Sequence, residues 1–345
     1  MTKRNLLLVA LVVVAVAAVS HYSSKRSNEK ADRRIGQPIL DSALFESTDT
    51  ILFAKEEQEV ALKKKGERWL VKNREDYPAD MEKLLAIFEK VSSYRIHSMV
   101  VKEATLERLG DFETLYQGEG SATETAVGSQ LTLKRGEEIL FRFVAGKNRQ
   151  ATGQNSGFGG TYIRMGEQKS VYLIKEDLVF DVSPENWLQT KLFHIGRDQI
   201  KSIGFRVKEE SFEFAREEKT KPFSLKETKE GESLQSNPLS GVINDLEEFS
   251  VKDVEKLADG SDRERQTASE VSILLFDGGK IELEFLYRSE KSGEEEEKDY
   301  FVKILPATKA YDKSIAELGE KWLFSVENWK AEKWIKARGE YLKEK

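Results

Sequence analysis

Proton transfer near neutral pH would fall to three histidines, His21, His97 and His194, which lie far apart in a chain of 345 residues. Nucleophilic chemistry at sulfur is excluded, because there is no cysteine. The same absence removes disulfides, thiolate zinc sites, iron–sulfur clusters and a lipobox. Serines occur near histidines, but no Gly-x-Ser-x-Gly elbow is present. A structural role is therefore expected for His97 and His194. The 61 acidic residues leave room for a glycosidase-type carboxylate pair, yet no Asp or Glu stands out from the charged background. The run Glu294 to Glu297 reads as a solvated loop. The glycine-rich stretch Gly153 to Gly160 invites a phosphate-loop reading, but no Gly-Lys-Ser/Thr follows, and Thr161 to Met165 alternates like a strand. A hairpin loop able to touch a partner fits better. No residue is thus assigned as catalytic, cofactor-binding or metal-ligating, no cofactor is expected, and the chain is not read as an enzyme.

Net charge is -6 (55 basic, 61 acidic residues) with 34% charged residues. A nucleic-acid binder should show a basic excess, so that partner class is set aside. With 39% hydrophobic and 10% aromatic residues, a packed core is expected.

Near the start, Lys3 and Arg4 precede an unbroken apolar run from Leu6 to Val19. Fourteen residues at ~1.5 Å each give about 21 Å, and interfacial Asn5 and Ser20 to Tyr22 bring this close to a minimal span. The same pattern describes a secretory signal, with small-residue sites after Ala17 and Ser20. An uncleaved anchor is the preferred reading, since neither site ends the apolar run cleanly. Lys25, Arg26, Lys30, Arg33 and Arg34 beyond the run favour the cytoplasm by positive-inside counting. The very short basic tail favours export, which is the orientation adopted.

The chain then repeats itself. Ile51/Phe53, Val60/Leu62 and Trp69/Val71 form three strand patterns, and Tyr77-Pro78 stops strand character. Met81, Leu84, Leu85, Phe88 and Val91 follow at the spacing of one helix face. Later, Ile203/Phe205/Val207, Phe212/Phe214 and Phe223/Leu225 repeat the strands. Leu239, Val242, Ile243, Leu246 and Phe249 repeat the helix after Asn237-Pro238. Hairpins over Leu131 to Phe143, turning at Arg135-Gly136, and over Ile273 to Phe285, turning at Asp277-Gly278-Gly279, correspond. Third strands at Tyr162-Ile163-Arg164 and Phe301-Val302-Lys303 do too. Each half closes on an aromatic tail, Leu178-Val179-Phe180 with Trp187 and Trp322-Leu323-Phe324 with Trp329. Trp187 and Trp329 are therefore expected as equivalent core anchors, with sugar stacking the lesser reading. The first half carries an extra stretch within Leu109 to Ala126. Asn328 to Leu342 reads as a closing amphipathic helix.

The expected fold is α+β: a membrane helix, then two tandem repeats, each a mostly antiparallel sheet with one packed helix. The segments are a tail (1–4), an anchor or signal (5–22), a linker (23–48), a first repeat (49–195) and a second repeat with its C-terminal helix (196–345).

The ordered series ILFAKEEQEVALKKKGERWLV, YPADMEKLLAIFEKV, LERLGDF, FRFVAGK, TYIRMGEQKSVYLI and NWLQTKLF, then IKSIGF, resembles the domain-of-unknown-function 4340 family. The resemblance runs from about Thr50 to Phe205 and continues more weakly beyond. Departures are Phe112, near a usual Gly-Leu-hydrophobic stretch, and the charged insert Lys291 to Lys298. The family brings no established catalytic residues. It implies a single-pass inner-membrane protein with its globular part in the periplasm or otherwise extracytoplasmic. Its implied function is that of a non-catalytic accessory or scaffold component of an ABC-type transport complex, with permease or auxiliary subunits as partners. The alternatives are a surface-exposed glycan- or peptide-binding module and, behind it, a carboxylate hydrolase.

Overall fold

The computed structural model describes residues 33–116, 128–150, 159–235, 239–257, 265–292, 295–307 and 309–343. The expected membrane segment 5–22, His21, Asn237-Pro238 and most of the glycine-rich stretch lie outside them. Among the described residues no helix is long and apolar enough to cross a membrane.

In chain order the first strands are β1 (Thr50–Lys55), β2 (Gln58–Lys65), β3 (Arg68–Val71), β4 (Tyr77–Pro78), β5 (Ser98–Val101), β6 (Ser129–Arg135), β7 (Glu138–Arg149), β8 (Gly160–Met165) and β9 (Val171–Ile174). There follow β10 (Lys191–Phe193), β11 (Ile200–Val207), β12 (Glu210–Ala215), β13 (Ser224–Leu225), β14 (Phe249–Ser250), β15 (Asp253–Lys256), β16 (Gln266–Leu275), β17 (Lys280–Ser292), β18 (Glu295–Leu305) and β19 (Trp322–Val326). The helices are α1 (Leu44–Ser47), α2 (Met81–Ser93), α3 (Leu106–Asp111), α4 (Ser240–Glu247), α5 (Lys313–Gly319) and α6 (Asn328–Trp334). The class is α+β with antiparallel sheets.

Two compact units form. One holds the chain up to Ala61 together with Leu84–Val182; the other holds Leu62–Lys83 together with Ser183 to the C-terminal end. The division crosses the sequence repeat, since the strands β3 and β4 sit with the second unit.

In the first unit the strands run β1–β6–β7–β8–β9–β5, every neighbour antiparallel. In the second they run β11–β16–β17–β18–β19–β15, again antiparallel throughout. The same six-strand order arises twice in chain order, so the duplication read from apolar spacing is a duplication of topology. Both hairpins are antiparallel with Gly136 (φ +60) and Gly278 (φ +86) in left-handed turn positions, but their registers differ: Leu131 pairs with Phe143, whereas its counterpart Ile273 pairs with Ile281. Strand order equates β19 with β9, however. Leu178-Val179-Phe180 lies in no strand, whereas Trp322-Leu323-Phe324 lies in β19, so the two tails are not equivalent.

Alternation explains each core. Ile51, Phe53, Leu131, Leu133 and Phe143 are fully buried in the first unit, with the rings of Phe53 and Phe143 at 5.5 and 5.8 Å from Phe180. α2 follows its predicted stripe but buries only Leu84, Phe88 and Val91; Leu85 is 48% exposed. Its start is fixed by Asp80, whose Oδ1 accepts the Lys83 amide at 3.0 Å. Tyr77-Pro78 does not stop strand character: proline takes the edge position of β4, opposite Leu70. α4 ends at Glu247, two residues before the periodic Phe249, because Glu248 leaves helical geometry (φ -150, ψ 75) and Phe249 enters β14. The extra stretch of the first half begins within α3, which is capped by Thr105 and packed through Leu109 with Phe112, Leu115 and Val171; its residues 117–126 lie outside the described ones. The stretch expected as linker is packed from Ile39 and Leu40 onward.

Candidate functional site

Strand alternation gives the second unit's sheet a polar face as well as a core. β11 buries Ile203, Phe205 and Val207, which leaves Gly204 and Arg206 on the other side. β12 buries Phe212 and Phe214 and turns out Ser211 and Glu213; β16 turns out Glu270 and Ser272, and β17 Glu282 and Glu284. The registers align these into two rows across the strands. One runs Glu213–Gly204–Ser272–Glu282–Leu305, the other Ser211–Arg206–Glu270–Glu284–Lys303. Glycine beside Ser272 in the first row makes room for the serine hydroxyl: a Cβ there would stand 2.8 Å from it. The result is an open trough of about 400 Å³ that reaches Lys226 and Arg338 at its edge.

Its charges are mostly matched. Arg206 meets Glu270 at 3.0 Å and Lys226 meets Glu213 at 2.7 Å. Arg338 grips both carboxylate oxygens of Glu232, with contacts of 2.8 and 2.5 Å. That fork, joined by the Lys229 amide, pushes the Glu232 carboxyl down to about 2. Partial burial pushes the Glu213 carboxyl up, but hydrogen bonds from Lys226 and Ser202 outweigh it and its pKa is lowered overall. Glu282 moves the other way. Burial raises its pKa, Lys280 opposes this, and the charge of Glu270 adds to it. Among the described residues Glu282 has no hydrogen bond and no ion pair. The trough thus offers a carboxyl outside any ion pair, hydroxyls and fixed ion pairs to a polar ligand.

Few residues singled out by sequence lie here. His97 and His194 belong to different units, and both are exposed. His97 gives its amide to the Leu173 carbonyl at 2.8 Å. The His194 ring Nδ1 contacts the Glu247 carbonyl, and its own carbonyl accepts the Tyr311 hydroxyl at 3.0 Å. Trp187 is a core anchor at 2% exposure, with Lys83 over its ring. Trp329 is not; it is 58% exposed beside Lys333, and the core position is filled by Trp334. Trp334 stacks on Phe285 at 5.4 Å and gives its indole N–H to Asp245 at 3.0 Å. The closing segment is not one helix. α6 ends at Trp334, and a separate 3-10 turn, Arg338–Tyr341, lays Tyr341 against Phe205, Phe212 and Phe214. Of the acidic run, Glu295 to Glu297 extend β18 instead of forming a loop, because the hairpin continues its pairing there. Gly160 opens β8 with φ +134, where a Cβ would meet the Ile174 carbonyl at 1.8 Å. Among the described residues no group of three or more His, Asp or Glu could hold a metal ion.

The trough residues escaped sequence reasoning because attention to strands follows their apolar members. The signal available was the intervening positions, Gly204/Arg206, Ser211/Glu213, Glu270/Ser272 and Glu282/Glu284, whose shared face needs the register. The family described as Domain of unknown function (DUF4340) matches residues 69–270. No curated protein and no solved structure matches the chain.

Proposed function

We propose, from the premise that this chain belongs to the domain-of-unknown-function 4340 family, that it is a non-catalytic, membrane-anchored accessory component of an ABC-type transport complex. Its apolar run from Leu6 to Val19 holds it in the membrane, and its two sheet units stand outside the cytoplasm. The observation that carries this reading is the repeated six-strand order, which gives one chain two related sheets to hold against partner subunits. Affinity purification of the full chain from detergent-solubilised membranes tests it. A permease or auxiliary subunit should co-purify near one to one; recovery of the chain alone under mild detergent contradicts the reading.

The trough favours a second reading, a binding module for peptide or glycan. Its aromatic neighbours Phe205 and Phe212 are buried, so no ring is offered for a sugar to stack on, and peptide is the better fit. Binding of the full chain to a peptide panel but not to a glycan array is the expected pattern, and the reverse pattern contradicts it.

A further inference from the structure

We infer that the trough on the second unit's sheet binds a small organic cation, a primary amine or guanidinium compound, through Glu282 with Ser272 beside it. The inference depends neither on the anchor nor on a transport partner. A cavity of about 400 Å³ falls within the size range of small-molecule sites, ~300–1,000 Å³.

Charge selects the ligand. The cations around the trough are committed: Arg206 to Glu270, Lys226 to Glu213, and Arg338 to Glu232. Glu282 is half-buried and forms no ion pair among the described residues, with the charge of Lys280 only partly offsetting its burial, a cost that an incoming cation relieves. An anion would face Glu270 and Glu282 together and be repelled. A divalent metal needs several oxygen ligands, whereas Glu270 is already held by Arg206. An ammonium or guanidinium group needs one carboxylate and a few acceptors at hydrogen-bond distance, which Glu282 and the Ser272 hydroxyl opposite it supply. The missing side chain at Gly204 gives the Ser272 hydroxyl room to lie beside it, where a Cβ would stand 2.8 Å away.

Titration of the full-length protein in detergent with n-butylamine, followed by calorimetry or by methyl NMR, tests the inference. Binding should be saturable and should weaken about tenfold in Glu282→Gln, the loss of one charge-assisted hydrogen bond. The variant Glu284→Gln, one row away and bonded to Thr267, should bind like the parent. 1-Butanol, the uncharged analogue, should not bind. A cooperative thermal transition in Glu282→Gln at or above the temperature of the parent's shows that it is folded. No saturable amine binding, equal binding by Glu282→Gln, equal binding of butanol, or calcium displacing the amine at equal concentration overturns the inference.

Discussion

Replacing Trp334 by phenylalanine separates the two ways in which this residue closes the second unit. Phenylalanine keeps a ring against Phe285 (5.4 Å) and Phe249 (5.7 Å) but deletes the indole N–H that reaches Asp245 at 3.0 Å. Asp245 is 7% exposed and would keep its hydrogen bond from Lys333 at 2.7 Å. A hydrogen bond to a charged acceptor contributes ~1.5–3 kcal/mol. At ~24 cal/mol per Å3, a residual void of ~40 Å3 adds ~1 kcal/mol. The expected destabilisation is therefore ~3 kcal/mol, or a fall of roughly 6–12 °C for a domain of ~150–250 residues. Scanning calorimetry on the full chain reads it as a shift of one transition, that of the second unit. Trp329→Phe, at a residue 58% exposed, should stay within ~0.5 kcal/mol. A loss under ~0.5 kcal/mol for Trp334→Phe, or equal losses at both positions, would refute the assignment of Trp334 as the anchor.

Three further outcomes follow from the trough. The raised carboxyl of Glu282 means that folding favours its protonated form, so its cost is present at neutral pH and disappears as pH falls through the ordinary carboxyl range. Glu282→Gln should then be more stable than the parent at pH 7, by up to ~1 kcal/mol after solvent screening, and lose that advantage near pH 4 in urea titrations. Glu232 has the opposite sign: its carboxyl, held down to about 2 by Arg338, stabilises the fold above the ordinary carboxyl range and loses that contribution as pH falls toward 2. The stability gap between the parent and Arg338→Met should accordingly be full at pH 7 and close at acid pH. Gly204→Ala places a methyl group against the Ser272 hydroxyl, which can rotate away, so stability should fall by less than ~1 kcal/mol while n-butylamine binding is lost.

The fold was legible where one period dominates. The hairpins over Leu131 to Phe143 and Ile273 to Phe285 alternate cleanly and turn at glycines, so residue spacing alone locates them. α2 was legible for the same reason. What failed depended on partners distant in sequence. Phe249 continues a helical period, yet pairing of β14 with β10 draws it into a strand. Trp329 and Trp334 are both candidates to cap the core, and only the path of α6 decides between them. The trough was illegible because Glu213, Gly204, Ser272 and Glu282 come from four strands. Nothing short of the register shows that they form one row.

The central claim, that both sheet units are presented outside the cytoplasm by an N-terminal membrane segment, suits a direct measurement because the chain has no cysteine of its own. Glu137→Cys, at the β6–β7 turn, and Glu209→Cys, at the β11–β12 turn, place single thiols at exposed positions in each unit. A membrane-impermeant maleimide applied to intact spheroplasts should label both variants in the membrane fraction as fully as it does after lysis. Labelling of either variant only after lysis, or recovery of the chain in the soluble fraction, would contradict the account.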